Sequence, residues 1–280
     1  MTPTEYAAAQ ARISAAIIQY ILRFAALLLK PQLSTRDWLS ALQIIYPEVE
    51  RQRAASAELA REFYDSQRRE HHPELSRNER PLEGYKFEWF VQAMEPSRKK
   101  LSQEDAPTTA VGDLARRVVK EVENAGRRQI IRAVENDPAT GIVKGWARVA
   151  TGRETCGWCL MLISRGPVYQ AADTAGLDLD DTSAARMIAA GEDVSEHMVE
   201  WHTGCDCKVV PVYNRKNWPG KAAADRALEL WNEADREAQQ LIESGKSRTN
   251  NRNREAINAL RRRLERGEIN PSEYAGLAAA

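Results

Sequence analysis

All four cysteines of the chain fall in two tight pairs: Cys156 and Cys159 in the stretch CGWC, and Cys205 and Cys207 in HTGCDC, which opens on His202. A fold built from this sequence must either bring the two arms together or leave each as half a site. Two thiolates three residues apart supply half of a tetrahedral zinc centre. His202-x-x-Cys205 has a workable ligand spacing, and Cys205-x-Cys207 is tighter than the usual step. Cys156, Cys159, His202, Cys205 and Cys207 are therefore candidates for four ligand positions, and the spacing leaves open which four bind. Gly157 is expected to give the first arm a backbone freedom that a Cβ would strain.

The flanking texture suggests how the arms meet. A strand is expected within Lys144–Ala150, leading into the first arm, and a second over Lys208–Tyr213, leading out of the other, with Pro211 limiting its pairing. If the two strands pair antiparallel, the end of one lies beside the start of the other. The segment from Leu160 to Trp201 then becomes an excursion pinned at its base.

Other readings explain the cysteines less well. Unrelated buried cysteines would not be expected to fall into two pairs. Disulfides are disfavoured in a reducing compartment, and the N-terminal MTPTEYAAAQ carries no secretory signal. A redox C-x-x-C needs a thioredoxin-like βαβ setting, which is missing. The deaminase order, H-x-E before P-C-x-x-C, is not met, since His197 and Glu200 have the wrong spacing. H-E-x-x-H is also missing. A centre with four good ligands has no open position for water, so the expected zinc is structural. Ser164, Ser183 and Ser195 share this region with His197 and His202, but Ser and His are too common to define a protease. No catalytic residue is assigned.

The remainder reads as helix. Of 280 residues, 43% are hydrophobic and 29% charged, and 40 Lys and Arg balance 40 Asp and Glu. Zero net charge argues against a dedicated nucleic-acid binder. A first helix is expected from Thr4 to Lys30, with Ile17, Ile18, Ile21, Leu22, Ala25, Leu28 and Leu29 at helical spacing. Gln19 and Arg23 interrupt it, and it is too short for a membrane span. Ser34 caps a second helix through Trp38, Leu42 and Ile45, stopping near Pro47, and a third runs from Pro47 to Glu70. His71-His72-Pro73 reads as a helix end rather than a metal tract. Residues 73–84 form a linker, the alternation of Tyr85, Phe87 and Trp89 suggests a short strand although Phe90 and Val91 pull the reading toward helix, and 96–107 is a polar break. A long helix covers Thr108–Asn136. Beyond the first cysteine pair lie a short helix over LMLIS and a helical piece near Ser183–Ala190. Two further helices span Ala222–Ser244 and Glu255–Gly267, before a frayed tail, SEYAGLAAA. The expected fold is mainly α: a helical region over 1–140, a small α+β zinc-knuckle domain over 141–217, and a C-terminal helical tail over 218–280.

The order C-x-x-C, then SRGPVY (Ser164 to Tyr169), then H-x-x-C-x-C and VVPVY (Val209 to Tyr213) resembles the C-terminal domain of the phage Mu F-like minor head proteins, or head morphogenesis proteins. It is most similar to those of actinobacterial phages and prophages. The resemblance covers roughly Gly141 to Tyr213, and Cys156, Cys159, His202, Cys205 and Cys207 fall on that family's Cys/His positions. It implies a non-enzymatic virion protein of the phage head interior, present in the host cytoplasm during assembly. Such a protein binds the portal protein and meets the major capsid or scaffolding protein, with no membrane partner. Its role would lie in procapsid assembly and DNA packaging or ejection. The alternative is a capsid maturation protease or another phage-encoded hydrolase. The basic C-terminal helix, with Arg252, Arg254, Arg261, Arg262, Arg263 and Arg266, is the candidate contact for DNA or an acidic partner surface.

Overall fold

The computed structural model describes residues 1–24, 33–82, 84–101, 109–168, 186, 189–191 and 201–277. Ala25 to Pro31, most of the expected piece Ser183–Ala190, and Tyr169, Ser195, His197 and Glu200 lie outside the described residues. The chain is mainly helical and divides into two units, one of Met1–Ser66 with Glu79–Gln129, the other of Gln67–Asn78 with Ile130–Ala280.

The first unit is built from long amphipathic helices. Helix α1, Pro3–Arg23, starts at a capping box: the Glu5 amide donates to Thr2 Oγ1, and the Thr2 amide donates back to the Glu5 carboxylate. Its buried face carries Tyr6, Gln10, Ser14, Ile17 and Ile21, and the Phe24 amide closes it on the Ile21 carbonyl. Helix α2, Thr35–His71, is one continuous helix of 37 residues with Pro47 inside it. This corrects the expected break. Trp38, Leu42, Ile45 and Val49 keep one buried stripe through the proline. Pro47 and Gln43, whose carbonyl loses its helical partner, are both on the exposed side.

The expected strand at Tyr85–Trp89 and the break at 96 are likewise corrected. Helix α3 spans Phe87–Leu101, through Pro96, and buries Phe90, Met94, Ser97 and Leu101. Phe87 packs edge-on against Tyr46 at 5.2 Å, whereas Trp89 is 46% exposed. Spacing of 3.6 rather than 2 therefore sorts these aromatics. Residues 102–107 of that break lie outside the described residues. Helix α4, Ala110–Glu135, adds Leu114, Val118 and Val122 to the same core.

The first unit also buries charge. Arg127 donates to Glu123 Oε2 at 2.6 Å and to Asn124 Oδ1 at 3.1 Å, and Ser14 Oγ donates to Glu123 Oε1 at 2.9 Å. Each member of that network stabilises the helix register only while the others remain.

The second unit centres on a two-stranded sheet. Strand β1, Trp146–Val149, pairs antiparallel with β2, Lys208–Pro211, in the register Trp146 to Pro211 and Val149 to Lys208. Helix α5, Gly157–Ser164, is buried on every side, as its unbroken apolar run requires. Helices α6, Lys221–Glu243, and α7, Arg252–Glu265, pair through small residues, Ala234, Ala238, Ala256 and Ala259. Leu160 of α5 packs into the same cluster with Leu230, Leu260 and Ile269.

Ser272 to Leu277 of the tail are packed, against expectation, and Ala278 to Ala280 lie outside the described residues. A 3-10 turn at Pro271–Tyr274 leads to Ala275, which bridges Ala150 beyond the end of β1. The Gly276 amide donates to the Ala150 carbonyl at 3.0 Å, and Leu277 is buried. Burial of Leu277 and Ile269 offsets the fraying that small terminal residues would otherwise favour.

Two sequence features find structural roles here. His71 stacks on Tyr213 at 4.6 Å, and His72 meets Glu74 at 3.1 Å. The arginines of α7 largely face carboxylates: Arg252 pairs with Asp235, Arg262 with Glu237, Arg263 with Glu233 and Glu237, and Arg266 with Glu268.

Candidate metal centre

The antiparallel register fixes where the two cysteine arms meet. Val149 ends β1 opposite Lys208 at the start of β2. The residues just after β1 and just before β2 must therefore lie at the same end of the sheet. Cys156 is the N-cap of α5, with extended backbone, and its Sγ accepts from the Cys159 amide at 3.5 Å. The first arm is thus the opening turn of a helix rather than a free loop. On the second arm the Cys205 amide donates to the His202 carbonyl at 3.2 Å. Gly204 takes the left-handed conformation (φ 83°) that this turn needs. Gly157 has another role from the one expected. Its φ is not positive, and a Cβ there would come within 3.2 Å of the Arg261 amide and Leu260 Cβ. The close approach of α7 leaves little room for a Cβ there.

All five candidate side chains converge. They form two overlapping triads, Cys156–Cys159–His202 and Cys159–Cys205–Cys207, the ligand atoms of each lying within 4.8 Å of one another. Cys159, fully buried, belongs to both. Its Sγ lies 3.6 Å from His202 Nε2 and 3.5 Å from Cys205 Sγ. Bonds of about 2.3 Å to sulfur and about 2.0 Å to nitrogen, at tetrahedral angles, separate such atoms by roughly 3.5 to 3.8 Å. These two separations suit a thiophilic tetrahedral ion. The Cys156 Sγ lies closer to His202 Nε2, at 2.7 Å.

The electrostatics describe a site short of positive charge. Hydrogen bonding from the Cys159 thiol, and then from His202, holds Cys156 down to about 4. The Cys156 thiolate in turn raises His202 to about 9. Cys159 is pushed up, first by its hydrogen bond to Cys156, then by Cys205 and Cys207. A bond from Cys159 pulls Cys207 the other way, but Cys205 and burial leave it raised. Buried thiols this close cannot all ionise beside one another, and a bound cation lifts that restriction. These Cys and His groups can hold a metal ion.

Sequence reasoning missed one residue, Asp206. It sits between Cys205 and Cys207, is 6% exposed, and its Oδ2 gathers the loop that leads to Cys156. Thr151 Oγ1 donates to it at 3.2 Å, Thr155 Oγ1 at 3.1 Å, and the amides of Gly152, Arg153 and Glu154 at 3.0, 3.2 and 3.4 Å. No spacing rule marks it, because it answers backbone donors rather than a side-chain pattern. Ser164, in contrast, donates to the Met161 carbonyl within its own helix at 2.7 Å.

The comparisons with known proteins agree with one another. A model of the VG15 protein family matches residues 2–234. The chain is 59% identical over 271 residues to the Gene 15 protein of Mycobacterium phage D29, covering 94% of this chain and 98% of that protein. It is 54% identical over 291 residues to the Gene 15 protein of Mycobacterium phage L5, covering 98% and 99%. No solved structure matches the chain. Among the described residues, no helix is long and apolar enough to cross a membrane.

Proposed function

We propose that this chain, which belongs to the VG15 protein family, is a minor structural component of a phage head, with a zinc ion pinning its second unit. The observation that carries this reading is the meeting of C-x-x-C and H-x-x-C-x-C at one end of an antiparallel strand pair. Their order along the chain resembles the Mu F-like head morphogenesis proteins. Full-length similarity to proteins of two mycobacteriophages supports a phage role. The protein would act inside the head, bound to the portal and in contact with major capsid or scaffolding protein, during procapsid assembly and DNA packaging or ejection.

Zinc would be held by four of Cys156, Cys159, His202, Cys205 and Cys207. When bound it would supply charge that lets buried thiolates coexist, and so would tie the two arms into one fold. The chain's own residues do the rest. Cys156 caps α5, β1 and β2 set the spacing of the arms, and α7 closes against Gly157. A role in chemistry is not part of this proposal, since five candidate ligands leave no position reserved for water. Contact with DNA through α7 would rest mainly on Arg254 and Arg261, which lie outside the ion pairs described above. Packing on portal or capsid protein fits the neutral net charge better.

The test is a nonsense mutation of the gene in its phage. Purified virions should contain the protein in a few copies, and its loss should leave few normal, DNA-filled heads by electron microscopy. Virions that lack the protein, together with normal heads in the mutant, would overturn the proposal. Capsid or scaffolding protein left uncut in the mutant would favour a protease instead.

A further inference from the structure

We infer that Asp206 is a positioning residue that holds the first arm in its ligating geometry; this rests on the metal reading above. Cys156 and Cys159 are fixed relative to each other by α5, whose first turn contains both. Helical geometry alone does not fix them relative to Cys205 and Cys207. That task falls to residues 151–155, the connection from β1 to Cys156. These residues point three amides and two hydroxyls at one carboxylate oxygen, Asp206 Oδ2, at 3.0 to 3.4 Å.

Asp206 is flanked on both sides by second-arm cysteines, so any shift of its carboxylate shifts Cys205 and Cys207 with it. The bonds are charge-assisted, and five donors converging on one buried oxygen make a rigid joint. The other oxygen, Oδ1, is buried with no hydrogen-bond partner among the described residues. Burying an oxygen that way is costly, and the bonds to Oδ2 offset that cost. The C-terminal tail closes the joint from outside, since a Cβ on Gly152 would lie 2.9 Å from Ala275 Cβ and Ser272 Cα. Partners that orient ligands commonly influence metal affinity nearly as strongly as the ligands themselves. Here the oriented object is the backbone that carries the ligand.

The experiment compares the full chain with Asp206→Asn and Asp206→Ala. Asp206→Asn keeps the shape and removes the charge. Three quantities are read: zinc affinity by competition with a chromophoric chelator, the Co(II) absorption spectrum, and amide exchange at Gly152, Arg153 and Glu154 in zinc-loaded protein. Both variants should still take up metal, about 10- to 100-fold more weakly. Their Co(II) d–d bands should be weaker and displaced from the wild-type tetrahedral pattern. The three amides should exchange about tenfold faster or more. Affinity and spectrum unchanged in both variants would overturn the role of Asp206. So would a fall in thermal stability with an unaltered Co(II) spectrum and unaltered exchange at those amides, which marks a merely structural side chain. A wild-type chain that takes up neither zinc nor Co(II) would instead overturn the metal reading, and the role of Asp206 in it.

Discussion

The two units solve the problem of burial in opposite ways. The first uses length: α1 to α4 present long apolar stripes, and Trp38, Leu42, Phe90, Met94, Leu114 and Val122 close one core. It also buries opposite charges beside one another, in the network of Ser14, Glu123 and Arg127. The second unit has a short sheet, an eight-residue buried helix and a helix pair joined through alanines. At its centre are buried thiols whose neighbours and burial hold Cys159 and Cys207 in the neutral form. Difference in size of element becomes difference in dependence: the first unit should stand without an ion, and the second should need one.

The largest expected effect breaks that comparison directly. Chelation, or Cys159→Ser, should destabilise the second unit by an amount on the order of 10 kcal/mol, the scale of structural zinc binding. Hydrogen exchange should then rise across β1, α5, β2, α6 and α7 and stay low through the buried parts of α1 and α3. Equal loss of protection in both units would end the distinction. Next in size is the first unit's own weak point. Glu123→Gln leaves Arg127 buried beside a neutral amide, and should cost about 3–5 kcal/mol in denaturant unfolding with zinc content unchanged.

Leu160→Ala sharpens the picture of the second unit. It empties a site between α5, α6 and α7 and should cost about 2–5 kcal/mol, read as a lowered unfolding midpoint of the zinc-loaded protein. Pro47→Ala should move the first unit the other way. It restores an amide donor to Gln43, and relief of about 3 kcal/mol, less about 1 kcal/mol from a looser unfolded chain, gives a net gain near 2 kcal/mol. Smallest is Arg252→Ala on the surface of α7, which should cost less than about 1 kcal/mol by the same measurement.

Legibility followed the physics of each region. Periodicity located α1, α4, α6 and α7 because their apolar faces repeat over many turns. Pro47 and Pro96 misled, since local propensity gave way to a stripe that stays buried on either side of an exposed proline. Tyr85, Phe87 and Trp89 alternate in sequence, yet Phe87, Phe90 and Met94 carry the packing, and so few aromatics cannot separate the two periods. The five ligand candidates were visible because Cys and His spacing is itself chemical information. Asp206 was not, because its partners are backbone amides that every residue has. The tail looked frayed because Ala275 and Gly276, which let it lie close to Val149 and Ala150, are small residues of the kind expected at a loose end. At Gly276 a Cβ would lie 2.4 Å from Val149 Cγ1.

Zinc content of the full-length protein, measured before and after chelation while hydrogen exchange is followed in both units, tests the central claim most directly. About one zinc per chain, lost together with protection in the second unit alone, is the expected result. A metal-free chain whose second unit is as well protected as the loaded one would contradict it.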